Sequence, residues 1–317
     1  MSPDASCPYV LIPGEINLDL ILHGFDRFPA LGQEVLVNEC LMTLGSASAI
    51  AAVGLSRLGV PVRFVGRIGA DDWGNRCLDA MQAAGVDTTF VLSTTEVKTG
   101  VTVSISAAAD RALVTFPGTI GELTIDDIPA EAWEGVGHLH VSSFYLQRSL
   151  RPAIPQLFQH ARDREVTVSL DPGGDPEARW EEGVRDAIGL ADLFLPNEVE
   201  LEGIGRQPDP AQSLATLQRY GATVVAKLGA RGCLTVASGK TEVVSSPRVT
   251  VVDTTGAGDS FNAGFLAAWL RRAPLIDCMR DGVYCGALAT RGLGGTTTQP
   301  DGRELATFRS GQSKPLL

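Results

Sequence analysis

Val251-Val252-Asp253-Thr254-Thr255-Gly256-Ala257-Gly258-Asp259-Ser260-Phe261-Asn262-Ala263-Gly264-Phe265 reads as a strand joined to a helix through a glycine turn. An apolar strand end, two threonines and two glycines lead straight into a helix-forming run, Phe261 to Leu270. Glycines at such a junction let successive backbone N–H groups turn toward one point, and the new helix adds its positive dipole end there. That makes an anion pocket with Asp259 beside it. Phosphoryl transfer needs both parts. Gly256, Ala257 and Gly258 would hold developing charge on phosphoryl oxygens while Asp259 takes a proton from an attacking hydroxyl. A tight strand-to-helix turn capped by Asp259 is the simpler reading of a lone G-x-G-D.

Outward from this stretch the chain alternates. Tyr9 to Pro13, Val62 to Val65, His138 to Ser142, Val166 to Leu170, Leu193 to Leu195 and Thr223 to Lys227 read as short apolar strands. Helical spacing runs over Ala47 to Leu58, Trp73 to Ala83, Leu150 to Arg164, Glu177 to Ile188 and Pro210 to Tyr220. Such alternation implies an α/β fold: a doubly wound, mostly parallel sheet with helices on both faces. Ligands then gather outside the carboxyl ends of the strands. Leu18 to Leu44 and Thr99 to Phe116 break the pattern, being β-prone and without helical period. With no low-complexity linker or repeat, residues 1–317 read as one domain carrying these two segments as insertions.

The signature Asp253 to Phe265 resembles the C-terminal motif of the ribokinase-like, or phosphofructokinase-B, carbohydrate kinases. Gly45-Ser46-Ala47-Ser48-Ala49-Ile50, Gly54 to Gly59 and Val65 to Gly74 resemble the N-terminal motif of that family. Leu195-Pro196-Asn197-Glu198-Val199-Glu200 resembles its Asn-x-x-Glu element, and Val225 to Gly232 its Lys-Leu-Gly-x-x-Gly hairpin. Order and spacing agree across nearly the whole chain.

The resemblance implies a kinase that phosphorylates a hydroxymethyl group of a sugar with Mg-ATP, the inserted segments forming a small β lid over the acceptor. It assigns Asn197 and Glu200 to Mg²⁺ and its waters; from the residues alone an N-cap and first-turn acid explain the pair. Lys227, Gly229, Gly232 and Thr255 fall on the ATP side. Asp253 and Thr255 match positions that hold a monovalent cation such as K⁺ in relatives, with carbonyls of Thr290 to Gly295 completing the site. Asn17 and Asp19 match the sugar-contacting Asn-x-Asp, and Gly45 with Ser46 a Gly-Gly pair whose second member is usually Gly. At Ile50 the family pattern has a substrate-binding Asn, so the acceptor side departs from the family while the phosphate side is intact. The helix start beside Asp259 is expected to keep its carboxylate ionised at neutral pH. His138 and His140 share one strand face without a third ligand and read as structural.

Bulk properties agree. A chain of 317 residues can bury one large core. A net charge of −11 disfavours nucleic acid and acidic membranes as partners, and requires oriented N–H groups and metal to supply local positive potential. Six scattered cysteines without a C-x-x-C pair, and a first segment without a basic-then-apolar leader, point to the cytoplasm. No apolar run reaches the roughly 20 residues that span a bilayer. The partner expected is a small sugar or nucleoside, with a homodimer formed through the lid. A nucleoside kinase would use the same base, anion pocket and Mg²⁺ elements. A non-catalytic sugar or nucleotide sensor would have no need of Asp259, and a dinucleotide oxidoreductase would show G-x-G-x-x-G after its first strand.

Overall fold

The computed structural model describes residues 8–25, 28, 30–106, 111–181, 183–237 and 239–312. Its strands are β1 (Tyr9–Pro13), β2 (Asn17–His23), β3 (Glu39–Leu44), β4 (Val62–Gly69), β5 (Asp87–Thr94), β6 (Gly100–Ser106), β7 (Arg111–Phe116), β8 (Val136–Val141), β9 (Thr167–Leu170), β10 (Leu193–Phe194), β11 (Thr223–Lys227), β12 (Cys233–Ala237) and β13 (Lys240–Val244). The helices are α1 (Ala47–Arg57), α2 (Asp72–Ala83), α3 (Ile154–Arg162), α4 (Val184–Leu190), α5 (Glu198–Gly205), α6 (Pro210–Gln218), α7 (Ala257–Leu270), α8 (Leu275–Ala289) and α9 (Gly302–Gln312).

Among the described residues the large sheet runs β13-β12-β11-β10-β9-β8-β1-β4-β5. Pairing is parallel from β11 to β5 and antiparallel at β11–β12 and β12–β13. Successive residues of each strand enter opposite cores, as the pleat requires. Val10, Ile12, Phe64, Leu193 and Val225 pack with α1, α7 and α8. Leu11, Leu139, Val168, Phe194 and Val224 pack with α3, α4 and α6. Helices therefore cover both faces, which is why these strands read as unbroken apolar runs.

The inserted segments form the second sheet, ordered β3-β2-β6-β7; positions 26, 27, 29 and 107–110 of those segments lie outside the described residues. Its register sorts the side chains by face. Leu20 is level with Met42 and Val103, and Val103 with Val114. One residue earlier, Asp19 is level with Thr43 and Thr102, and Thr102 with Thr115. One face is thus an apolar band, and the other carries a row of polar groups.

Three helix boundaries differ from the sequence expectation. The helix expected over Glu177–Ile188 is reduced to α4. Asp175 instead collects the backbone N–H groups of Glu177, Arg179 and Trp180 at 3.0, 2.7 and 2.7 Å, and Ala178 and Trp180 take φ of 52° and 56°. A side chain that bonds the local backbone this way competes with helix formation. The run from Leu150 divides into a 3₁₀ turn, Arg151–Ala153, and α3. The signature helix starts at Ala257 rather than Phe261, so Asp259 sits inside its first turn.

Candidate active site

The site gathers at the carboxyl ends of β1, β9 and β11 and the start of α7. Gly256 caps α7 with φ 73°, a left-handed conformation glycine adopts freely. A Cβ there would lie 2.5 Å from the Cα of Gly295. The turn therefore has no room for a side chain at this position. Ser260 N–H donates to the Gly256 carbonyl (2.8 Å) and Ala257 N–H to the Thr254 carbonyl (3.3 Å), so of the first-turn N–H groups those of Gly258 and Asp259 have no acceptor outside the helix among the described residues.

Asp259 departs from expectation in its ionisation. Burial, then the charge of Asp171, raise its pKa to about 7; Glu15 and Asp19 add to the rise and Lys227 opposes it. The helix dipole does not outweigh loss of water and a collection of like charges.

Lys227 donates to Asp171 Oδ2 at 2.6 Å and to Asn262 Oδ1 at 3.4 Å, and Asn262 Nδ2 donates to Asp171 as well. Burial opposes the ammonium, but Asp171 and Glu200 hold its pKa above the usual lysine value. Lys227 Nζ would lie 3.5 Å from a Cβ on Gly258, so the one cation of this network abuts the anion turn. Asp171 and Asn262 were not singled out from sequence. The signal for Asp171 is its place, the first residue beyond β9 in an Asp-Pro-Gly-Gly turn on the ligand edge of the sheet.

Asn197 and Glu200 form a complete capping box on α5. Glu200 N–H donates to Asn197 Oδ1 (2.9 Å), and Glu200 accepts from Asn197 N–H (2.7 Å) and Nδ2 (2.6 Å). Burial, then Asp171, push the Glu200 pKa up to about 8. Asp171, Glu200 and Asp259 thus share one lysine, an excess of negative charge that a divalent cation would relieve. Among the described residues no cluster of three His, Cys, Asp or Glu groups has the spacing to hold a metal directly. The arrangement fits a Mg²⁺ that keeps its waters and phosphate ligands.

Gly229 opens the 3₁₀ turn after β11, with no atom within 4 Å of a Cβ built on it, so that side is free for a ligand. Gly232 answers a different need: a Cβ would strike the Val244 carbonyl on β13. Asp253 is buried, its Oδ1 accepting from Thr255 N–H (3.0 Å) and Oγ1 (2.8 Å) and its Oδ2 from Gly294 N–H (2.9 Å). This carboxylate joins the signature to the 290–295 loop through neutral donors alone, which fits a neighbouring monovalent cation.

On the acceptor side, Asn17 Nδ2 donates to Asp19 Oδ1 (2.9 Å) and Thr102 Oγ1 (3.2 Å), and both Asn17 and Asp19 lie against the backbone of Gly45. Ser46 has φ 73°, the conformation for which glycine is the usual choice; its hydroxyl donates to the Glu15 carbonyl. Glu15 was also not singled out. It accepts from Ser48 Oγ (2.6 Å) and N–H (3.3 Å) at the start of α1, where Ser46 supplies no side-chain cap. Burial raises its pKa, and Ser48 only partly restores it. Ile50 is buried against Gly295, which in turn touches Gly256, so the position lies one residue-layer from the anion turn.

His138 and His140 belong to a buried ladder. Thr167 Oγ1 donates to the Gly137 carbonyl, so it must accept from His138 Nδ1 (2.7 Å). His138 Nε2 then accepts from Ser169 Oγ, Ser169 accepts from His140 Nδ1, and His140 Nε2 accepts from Ser142 Oγ. Burial lowers the two pKa values to about 3 and about 4. Both rings are neutral and fully used.

A family model for the pfkB carbohydrate kinases matches residues 9–302. The chain belongs to that family. It is therefore a sugar or nucleoside kinase by descent. It is 30% identical to an uncharacterized sugar kinase of Archaeoglobus fulgidus, over 74% of this chain and 93% of that protein. The structure of a Vibrio cholerae fructokinase double mutant with fructose, ADP and potassium ion bound superposes with a TM-score of 0.79 at 27% identity, covering 96% of this chain and 99% of its own. Arabidopsis thaliana ribokinase in complex with ribose and ATP gives a TM-score of 0.79 at 24% identity, covering 95% and 98%. Its likeness is one of fold. No helix among the described residues of this pfkB kinase is long and apolar enough to cross a membrane.

Proposed function

We propose that this protein transfers the γ-phosphoryl group of ATP to a hydroxymethyl group of a sugar, with Asp259 as the base. The observation that carries the reading is the placement of Asp259 in the first turn of α7, directly after the left-handed Gly256 cap and within electrostatic reach of Asp19 and Lys227. Asn17 and Asp19 orient acceptor hydroxyls. Asp259 accepts the proton of the attacking hydroxyl, and its poise near 7 lets it do so at neutral pH. The N–H groups of Gly256, Ala257 and Gly258 stabilise charge on the transferred group, with Lys227 beside them. Bound Mg-ATP would supply the phosphoryl group and, through its metal, neutralise phosphate charge. Asn197 and Glu200 would hold the metal's waters, Gly229 leaves room for the nucleotide, and Asp253 with Thr255 would face a K⁺ ion.

Residues 1–317 act in this reading as one catalytic unit, the β3-β2-β6-β7 sheet closing as a lid. The half-exposed Met42, Val114 and Phe116 (51, 62 and 50%) on its apolar face suit pairing with a second copy. The free thiols of Cys40, Cys77, Cys233, Cys278 and Cys285 suit the cytoplasm; Cys7 lies outside the described residues. Ile50 favours an acceptor with an apolar or deoxy edge there, or a nucleoside, over ribose. A panel of ribose, fructose, 2-keto-3-deoxygluconate, adenosine and inosine read by ADP release tests the reading. Turnover of none of them by wild type, with Asp259→Asn as the blank, would reject it.

A further inference from the structure

Gln299 lies in the loop before α9 and is 3% exposed. Its Nε2 donates to the carbonyl of Ile50 in α1 (2.9 Å) and to Ser260 Oγ in α7 (3.0 Å). The amide can face only this way, because a backbone carbonyl has no proton to give. Both amide protons are thereby used. One goes to the residue that forms the acceptor wall, the other to the neighbour of Asp259.

The surroundings are built around this amide. A Cβ at Gly54 would come within 2.8 Å of both Gln299 Nε2 and the Ala263 Cβ, so a glycine is required for α1 to admit the amide and approach α7. Arg57, one turn further along α1, donates to the carbonyls of Thr296 (2.6 Å) and Gln299 (3.1 Å) and fixes the loop from behind. The amide oxygen gains nothing: Oε1 is buried without a hydrogen-bond partner among the described residues. An orphaned buried acceptor is a net cost, and an unbranched apolar side chain of the same length would avoid it. The two donated bonds and the orphaned oxygen are of similar size and opposite sign, so the net stability gained from glutamine here is small.

We propose that Gln299 is a positioning residue, an amide staple that sets the separation between the acceptor wall on α1 and the base at the start of α7. The inference rests on the kinase reading of the site. It makes phosphoryl transfer sensitive to a group that touches neither substrate. Small errors in placement of reacting groups cost as much as a hundredfold in rate.

Gln299→Met removes both donors and the orphaned oxygen while keeping length and volume. The melting temperature is expected to hold or rise. The kcat is expected to fall tenfold to a hundredfold, with the Kd of ATP and of the best acceptor, measured by calorimetry, within threefold of wild type. Amide hydrogen exchange over Ser260 to Asn262 should quicken with no substrate present. Ser260→Ala breaks the same bond from the other side, so the double variant should lose no more kcat than the worse single one. A Gln299→Met protein with kcat within twofold of wild type overturns the proposal. So does one that fails to fold, or whose losses in kcat follow equal losses in binding and melting temperature, because the residue would then be structural. A wild type that phosphorylates no acceptor rejects the kinase reading instead, and the exchange measurement still decides whether the staple holds α7.

Discussion

Replacing Asp259 by Asn should abolish turnover and strengthen the fold at the same time. The pKa of Asp259 rises from 3.8 to about 7 because burial, Asp171, Glu15 and Asp19 disfavour its charge. A folded-state pKa above the unfolded value stabilises the protein only below about pH 4, and that contribution is lost as pH rises through about 7. A displacement of roughly three units corresponds to about 4 kcal/mol as a ceiling. Asn is nearly isosteric and cannot ionise. Urea unfolding should therefore find Asp259→Asn more stable than wild type by about 2–4 kcal/mol at pH 8, by about 1 kcal/mol at pH 4.5, and nearly equal to it below about pH 3.5. Over the same variants kcat should fall about 10²- to 10⁴-fold, the worth of a positioned base. In wild type, kcat/KM for the acceptor should drop about tenfold per unit below pH 7, since the ionised carboxylate is the base. An Asp259→Asn protein less stable than wild type at pH 8 would refute the electrostatics, and one that keeps most of its kcat would refute the mechanism.

Ile50→Asn should improve kcat/KM for ribose by roughly ten- to a hundredfold by restoring a partner for a buried hydroxyl; equal ribose use by both proteins would remove Ile50 from the specificity account. If the second sheet is a lid, amides of Leu18 to Leu44 and Thr99 to Phe116 should gain exchange protection when acceptor binds, and calorimetrically proven binding without that gain would contradict it. Met42→Asp places a charge in the middle of the apolar lid face and should convert a dimer to monomer in sedimentation; a wild type that sediments as a monomer would defeat the pairing.

Features that depend on local chemistry are legible in the order of residues. Gly256 and Gly258 between an apolar run and a helical one mark a tight strand-to-helix turn, and alternating short strands with helices mark a mostly parallel sheet with its ligands at one edge. The β-prone composition of Leu18 to Leu44 and Thr99 to Phe116, with no helical period, set them apart from the alternation, because β-branched and aromatic side chains suit a pleated surface. Features that depend on distant partners are settled by how the chain packs. Asp259 is poised near 7 rather than ionised because the fold buries it and then crowds it with the charge of residues far from it in the chain, Asp171 first and Glu15 and Asp19 after it. Glu177 to Trp180 are not helical because Asp175 takes the N–H groups a helix would need. Lys227 is paired with Asp171 across 56 positions, and Gln299 reaches Ile50 across 249. Spacing in sequence carries no record of such meetings, since they arise only when the sheet brings its strand ends together and α1 packs against α7.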